Sequence, residues 1–132
     1  MSRLSTNAFD KRPFKGKGAV EWLSRSRKAL ERVLFDMEIL AEESRRVSGS
    51  PWYLYLHYRR DTGQRFLMWR SYGLNHVHLR WEQMQGVLQR MTPDQRNWYV
   101  ETNEKARLLN AKEKAARTAL NLANGLLEGD ED

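Results

Sequence analysis

The sequence predicts an α+β fold in which a β-hairpin, with or without a third strand, packs against two long helices and a shorter helix. Two observations carry this prediction. The stretch from Pro51 to Trp81 is rich in aromatic and other strand-forming residues around the turn-forming Asp61-Thr62-Gly63, which is typical of a hairpin. The segments before and after it repeat apolar residues at helical spacing. We therefore expect long helices to form the scaffold of the hairpin.

The first helix is predicted from about Gly18 to Val47. Its apolar residues recur at steps of seven, four, three and four, the spacing of one helix face. They are Leu23, Leu30, Leu34, Met37 and Ala41. Ser48-Gly49-Ser50-Pro51 then ends the helix, because glycine favours the left-handed cap and proline blocks continuation.

Two pairings are open for the strands that run from Trp52 to Arg59 and from Arg65 to Tyr72. A two-residue Thr62-Gly63 turn pairs Tyr58 with Leu67, whereas a three-residue loop with a bulge exchanges the two faces of the second strand. With the first pairing, one face carries Trp52, Leu54, Leu56, Tyr58, Leu67 and Trp69. The other face then carries Tyr53, Tyr55, His57, Arg59, Phe66, Met68, Arg70 and Tyr72.

The segment from Asn75 to Trp81 fits two structures. Its residues alternate as in a third strand, but Val77, Trp81 and Met84 also follow helical spacing with Asn75 as a possible N-cap, and we favour the helix. Residues 82–91 are helical in both cases. Thr92-Pro93-Asp94-Gln95 is a capping box, and it predicts a last helix that runs to about Leu127. The alanines and leucines of that helix indicate packing against the first helix or an oligomer contact.

Charge divides the chain into a basic body and a short acidic tail. The net charge is +6, but four of the 17 acidic side chains lie in residues 128–132, so residues 1–127 carry a formal charge of +10. We expect a basic, partly disordered arm over residues 1–17, a single domain over 18–127, and the tail. A body this basic favours a polyanionic partner such as nucleic acid.

Several classes of function are disfavoured. The chain has no cysteine, so disulfides and thiolate metal sites are excluded. No apolar run is long enough for a membrane span or a secretory signal, and we expect a cytoplasmic protein without a membrane role. Gly16-Lys17-Gly18 does not match a nucleotide-binding loop. We therefore expect no cofactor, no catalytic residue and no metal at the His76 and His78 pair, with a histidine general base (His57, His76 or His78) as the weaker enzymatic alternative.

The hairpin contains the best candidate binding residues. Arginines contact phosphates and base edges, and exposed aromatic rings can stack on unpaired bases. The candidates in the hairpin are Arg59, Arg60, Arg65 and Arg70, with Tyr53 and Tyr55 in support. The basic arm adds Lys11, Arg12, Lys15 and Lys17.

Three short segments carry a resemblance to a known family. They are FKGKG (Phe14 to Gly18), FLMWR (Phe66 to Arg70) and ARLLN (Ala106 to Asn110). From about Phe14 to Leu127 the chain resembles an uncharacterised family of integrative and conjugative elements and plasmids of proteobacteria, some members of which are labelled integrase regulators. The resemblance implies a protein that acts near DNA processing or transfer, and it assigns no functional residue.

Together these observations predict a non-enzymatic accessory or regulatory protein of a mobile element that binds DNA or RNA. The alternative is a helical interaction subunit of a larger nucleoprotein assembly, in which the long helices bind a protein partner or a second copy of the chain.

Overall fold

The computed structural model describes residues 11–73 and 77–128, with the side chains of the first helix described from Gly16 onward. Three helices and three strands follow one another. They are α1 (Lys11–Arg45), β1 (Trp52–Tyr58), β2 (Arg65–Ser71), β3 (His78–Leu79), α2 (Trp81–Leu88) and α3 (Pro93–Glu128). The strands form one antiparallel sheet in the order β1-β2-β3. The predicted α+β fold, with two long helices, a shorter one and a hairpin, is confirmed.

Contacts along the chain define two units, and the prediction of one domain over residues 18–127 stays a prediction. One unit comprises the residues up to Glu31 and those from Ala115 onward, and the other comprises Arg32–Lys114. In the described part of the first unit all residues are helical, and small side chains such as Ala19 and Ala123 are buried. The predicted packing of the alanines of the last helix against the first helix stays a prediction.

The start of helix α3 has a local cause, and helix α1 is described from Lys11 onward. Helix α1 begins at Lys11 rather than at Gly18, so residues 11–17, predicted as part of an irregular arm, are helical. Pro13 is compatible with this start because proline is tolerated in the first turn of a helix. Helix α3 begins at Pro93 as predicted. The Gln95 amide donates to Thr92 Oγ1 at 3.2 Å and the Thr92 amide donates to Gln95 Oε1 at 3.2 Å, which is the predicted capping box.

The hairpin keeps the predicted faces but not the predicted pairing. Tyr58 lies opposite Arg65 and Leu56 opposite Leu67, a shift of two residues from the pairing of a two-residue turn. The strands are joined by residues 60–63, where the Arg59 amide donates to the Gln64 carbonyl at 2.8 Å and Gly63 has a φ of 75°. Since side chains alternate with period two, an even shift leaves both faces unchanged. The bulged alternative, which exchanges the faces, is wrong.

The third strand replaces the start of the favoured helix. His78 and Leu79 pair with Arg70 and Trp69, and α2 begins only at Trp81. Strand pairing prevails because the edge of β2 offers partners: the Ser71 amide donates to the Val77 carbonyl at 2.9 Å. Asn75, the predicted N-cap, and His76 lie outside the described residues. So do the arm before Lys11 and the tail after Glu128.

One face of the sheet forms the core of the Arg32–Lys114 unit. Its buried side chains pack with residues from all three helices in a single cluster. The members are Val33, Met37, Leu40, Ala41, Trp52, Leu54, Leu67, Trp69, Met84, Leu88, Tyr99 and Ala106. Trp52 and Trp69 therefore belong to the core as expected, and Trp81 packs against it. None of the described helices combines the length and the apolar character that a membrane crossing needs.

Candidate nucleic-acid interface

The side of the sheet opposite the core carries aromatic, histidine and arginine side chains, and we call it the open face. It comprises Tyr53, Tyr55, His57, Arg59, Phe66, Met68, Arg70, Tyr72 and His78, which share one side by the strand register. None of them belongs to the buried core cluster. All except Tyr53 retain solvent exposure. Half-exposed aromatic residues on a sheet can contact planar ligands.

Arginine guanidinium groups lie over the rings of the open face. The guanidinium carbon of Arg70 is 3.8 Å from the ring centroid of Tyr55, and that of Arg59 is 5.4 Å from the ring of Phe66. Arg45, at the end of α1, lies 5.1 Å from the ring of Tyr53. Each pair is a cation–π contact. The contacts hold three positive charges close to the sheet, and each planar cation covers an apolar ring.

The histidines link these pairs. The ring of His78 stacks on Tyr55 with 6.2 Å between centroids and lies 5.8 Å from His57, which in turn lies 5.1 Å from Phe66. The pKa of His78 is lowered, first by desolvation and then by the charges of Arg70 and His57. His78 is therefore a neutral ring on the open face at neutral pH, and it can become a further cation in acid.

The open face contains no carboxylate among the residues that define it. Three ion pairs lie outside the open face and join Arg32 to Asp36, Arg46 to Glu42 and Arg107 to Glu104. The Nε atom of Arg70 is buried and has no hydrogen-bond partner among the described residues. A surface that carries arginines and no carboxylate of its own attracts anions.

Helix side chains cap the edges of the sheet. Where β3 is too short to pair with β2, Asn110 accepts a hydrogen bond from the Leu67 amide at 2.7 Å and donates one to the Leu67 carbonyl at 3.1 Å. Glu113 Oε2 accepts from the Arg65 amide at 3.0 Å. On the other edge, Ser44 Oγ accepts from the Leu54 amide at 2.9 Å. These backbone groups are therefore not available for pairing with a further strand.

The predicted site residues divide between several places. Tyr53, Tyr55, Arg59 and Arg70 come together on the open face. Arg65 lies on the opposite face, with its guanidinium carbon 4.7 Å from the centroid of the Tyr58 ring, so it does not share the open face with Arg59 and Arg70.

The remaining predicted residues lie outside the open face. Arg60 is an exposed residue of the loop. Lys17 is exposed on α1 in the other unit, while Lys11, Arg12 and Lys15 are helical residues whose side chains lie outside the description.

Six residues of the site are not among the predicted binding residues: Arg45, His57, Phe66, Met68, Tyr72 and His78. Arg45 lies within the predicted first helix, and its place beside Tyr53 depends on the turn after α1. His78 joins the site through the short β3 pairing, which the sequence left open. The sequence does contain a signal for Phe66, because strand alternation places it on the same face as Arg59.

No family model, curated protein or solved structure matches this chain. No group of three or more potential metal-ligating side chains occurs within residues 11–73 and 77–128.

Proposed function

We propose that this protein is a non-enzymatic accessory factor that binds nucleic acid through the open face of its sheet. One observation supports it above the others: Arg59 and Arg70 lie over the partly exposed rings of Phe66 and Tyr55 on a face defined by residues without a carboxylate, and Arg45 lies over Tyr53 beside them. Guanidinium groups pair with phosphates, and they and aromatic rings stack on bases. The body charge of +10 adds long-range attraction for a polyanion.

Counterion release gives this proposal a quantitative signature. For a single strand, the logarithm of the binding constant falls with the logarithm of salt concentration by about 0.7 for each phosphate neutralised. If Arg45, Arg59 and Arg70 all contact phosphates, their removal lowers the slope by about 2. The lysines and arginine of the predicted arm (Lys11, Arg12, Lys15 and Lys17) add further salt-dependent affinity.

The test is fluorescence anisotropy with labelled DNA and RNA oligonucleotides at two salt concentrations. Arg59→Ala and Arg70→Ala together should weaken binding at least tenfold and reduce the salt slope. Arg65→Ala is the matched control, because Arg65 also lies over a ring but on the opposite face. Equal losses in the control and in the double variant would reject the open face as the site. Absence of binding by the unmodified protein at low salt would reject the function.

We further propose that such a factor acts in DNA transfer or recombination, since the sequence resembles proteins of conjugative elements. This context is part of the proposal, and it is tested separately by loss of element transfer in cells that carry the Arg59→Ala and Arg70→Ala variant.

A second candidate function is a protein-interaction subunit, and an apolar groove on the Arg32–Lys114 unit favours it. Phe35 and Leu108 are 59% and 56% exposed, and Ile39 lies between them in two adjoining depressions. Four carboxylates and two basic side chains line the same depressions. They are Asp36, Glu38, Glu42 and Glu43, with Arg46 and Lys105. The excess of acidic groups around apolar side chains suits a basic amphipathic helix of a partner protein.

A synthetic amphipathic helix of leucine and lysine tests this second candidate. It should bind the unmodified protein, and Phe35→Ser with Ile39→Ser should weaken binding at least tenfold. Val100→Ser is the control, since Val100 has a similar exposure to Ile39 and lies outside both depressions. Absence of peptide binding, or an equal loss in the control, would reject the groove.

A further inference from the structure

We infer that the open face binds single-stranded nucleic acid by its unpaired bases, and that it does not read a duplex groove. This inference rests on the proposed function and specifies the ligand of the same site. It follows from three features of the sheet. One edge is bonded to α3, the arginine guanidinium groups lie close to aromatic rings, and further rings on the same face are exposed.

The capped edge keeps the hairpin out of a major groove. A free two-stranded ribbon fits a groove about 12 Å wide. Here α3 lies along β2, because Asn110 and Glu113 bond directly to the backbone of Leu67 and Arg65. A helix adds about 10 Å to the width of the ribbon. The Arg65 contact lies at the last strand pair before the loop, so α3 runs beside β2 as far as the loop end of the hairpin.

The arginines are placed for stacking rather than for reaching into a groove. A side chain that reads base edges in the major groove must extend into a cleft about 8.5 Å deep. The guanidinium carbon of Arg70 instead lies 3.8 Å from the centroid of the Tyr55 ring. To enter a groove it would have to leave that ring and lose the cation–π contact. A base that lies over the guanidinium keeps the contact and adds a second one.

Exposed rings extend the same platform along the strands. Tyr72 is 46% exposed and contacts Tyr53 with 4.6 Å between ring centroids, and His57, Phe66 and His78 retain partial exposure farther along the face. A strand of seven residues spans about 20 Å. That length holds on the order of four nucleotides, the lower end of the site sizes of single-strand-binding folds.

The experiment compares four ligands of the same length by fluorescence anisotropy at one salt concentration. They are an unstructured single-stranded DNA, the matching RNA, the matching DNA duplex, and an abasic single strand that keeps the phosphates. The inference predicts at least tenfold tighter binding of the DNA or RNA single strand than of both the duplex and the abasic strand. Tyr72→Ala should weaken single-strand binding about tenfold, since stacking contributes about 1–3 kcal/mol per base.

Tyr58→Ala is the matched control for Tyr72→Ala. Tyr58 is 48% exposed, close to the 46% of Tyr72, but it lies on the opposite face, so its loss should change affinity less than twofold. Duplex binding equal to single-strand binding would overturn the inference and leave the proposed function intact. So would equal binding of the abasic strand, or equal effects of the two tyrosine variants. Absence of binding to all four ligands would overturn both.

Discussion

Asn110→Ala tests whether α3 holds the edge of β2. The Asn110 amide accepts a hydrogen bond from the Leu67 amide at 2.7 Å and donates one to the Leu67 carbonyl at 3.1 Å. Leu67 is 4% exposed, so water replaces these bonds poorly. A buried polar group left without a partner costs about 1–3 kcal/mol, and two such groups with some water access give about 2–4 kcal/mol. A chain of this size loses roughly 3–5 °C in Tm per kcal/mol.

The assay is urea and thermal unfolding followed by circular dichroism. The expected result is a loss of about 2–4 kcal/mol in the free energy of unfolding, with a greater tendency to aggregate because the bare edge offers pairing groups to other chains. Asn97→Ala makes the same change at an exposed position of α3 and should alter stability by less than about 0.5 kcal/mol. If Asn110→Ala is no more destabilising than Asn97→Ala, the account of the capped edge is wrong.

Further predictions concern pH and backbone conformation. Because the pKa of His78 is lowered by desolvation, Arg70 and His57, the ring is neutral near pH 7. Protonation of His78 below pH 6.5 adds a positive charge to the open face, so nucleic-acid affinity should rise as the pH falls. The rise should be smaller in His78→Gln. An equal pH response in that variant would refute a role of His78 in binding. Gly63→Ala should lower the free energy of unfolding, measured with urea, by about 1 kcal/mol. The added Cβ meets open space, but the φ of 75° at this position is strained for a residue with a side chain. Gly86→Ala, in the middle of α2 and equally uncrowded, should instead stabilise by about 0.5–1 kcal/mol; the same sign for both would contradict this reasoning.

Local chemistry made much of the fold predictable. The Thr92 and Gln95 capping box fixed the start of α3 because its hydrogen bonds join residues three apart. The faces of the hairpin were predictable because alternation is unaffected by an even change in loop length. The exact pairing was not, since it depends on the closure of a four-residue loop by Arg59 and Gln64.

The site was only partly predictable because it depends on contacts between elements. The alternation of Arg59 and Arg70 with buried residues indicated their shared face, whereas Arg65 falls on the opposite side by the same rule. Arg45 reaches Tyr53 through the turn after α1, and His78 reaches Tyr55 through a strand of two residues. Periodicity within one segment cannot show such contacts, because they depend on the geometry of the connecting turns.

The arginines of the open face have a structural role that must be separated from binding. An aromatic face without a covering helix exposes apolar surface, and the long stem and plane of an arginine reduce that exposure. Replacing Arg59 and Arg70 with lysine keeps the charge and an apolar stem but removes the plane that stacks on rings and bases. If the arginines only cover the apolar rings, the lysine variant should lose a little stability and bind every ligand as tightly as before. Stacking instead predicts that affinity for a single strand falls at least fivefold while binding of an abasic strand changes less than twofold. Anisotropy titrations of the double lysine variant distinguish structural cover from stacking, with Arg65→Lys as the control on the other face. If the double variant binds the single strand as tightly as the unmodified protein, Arg59 and Arg70 do not stack on bases.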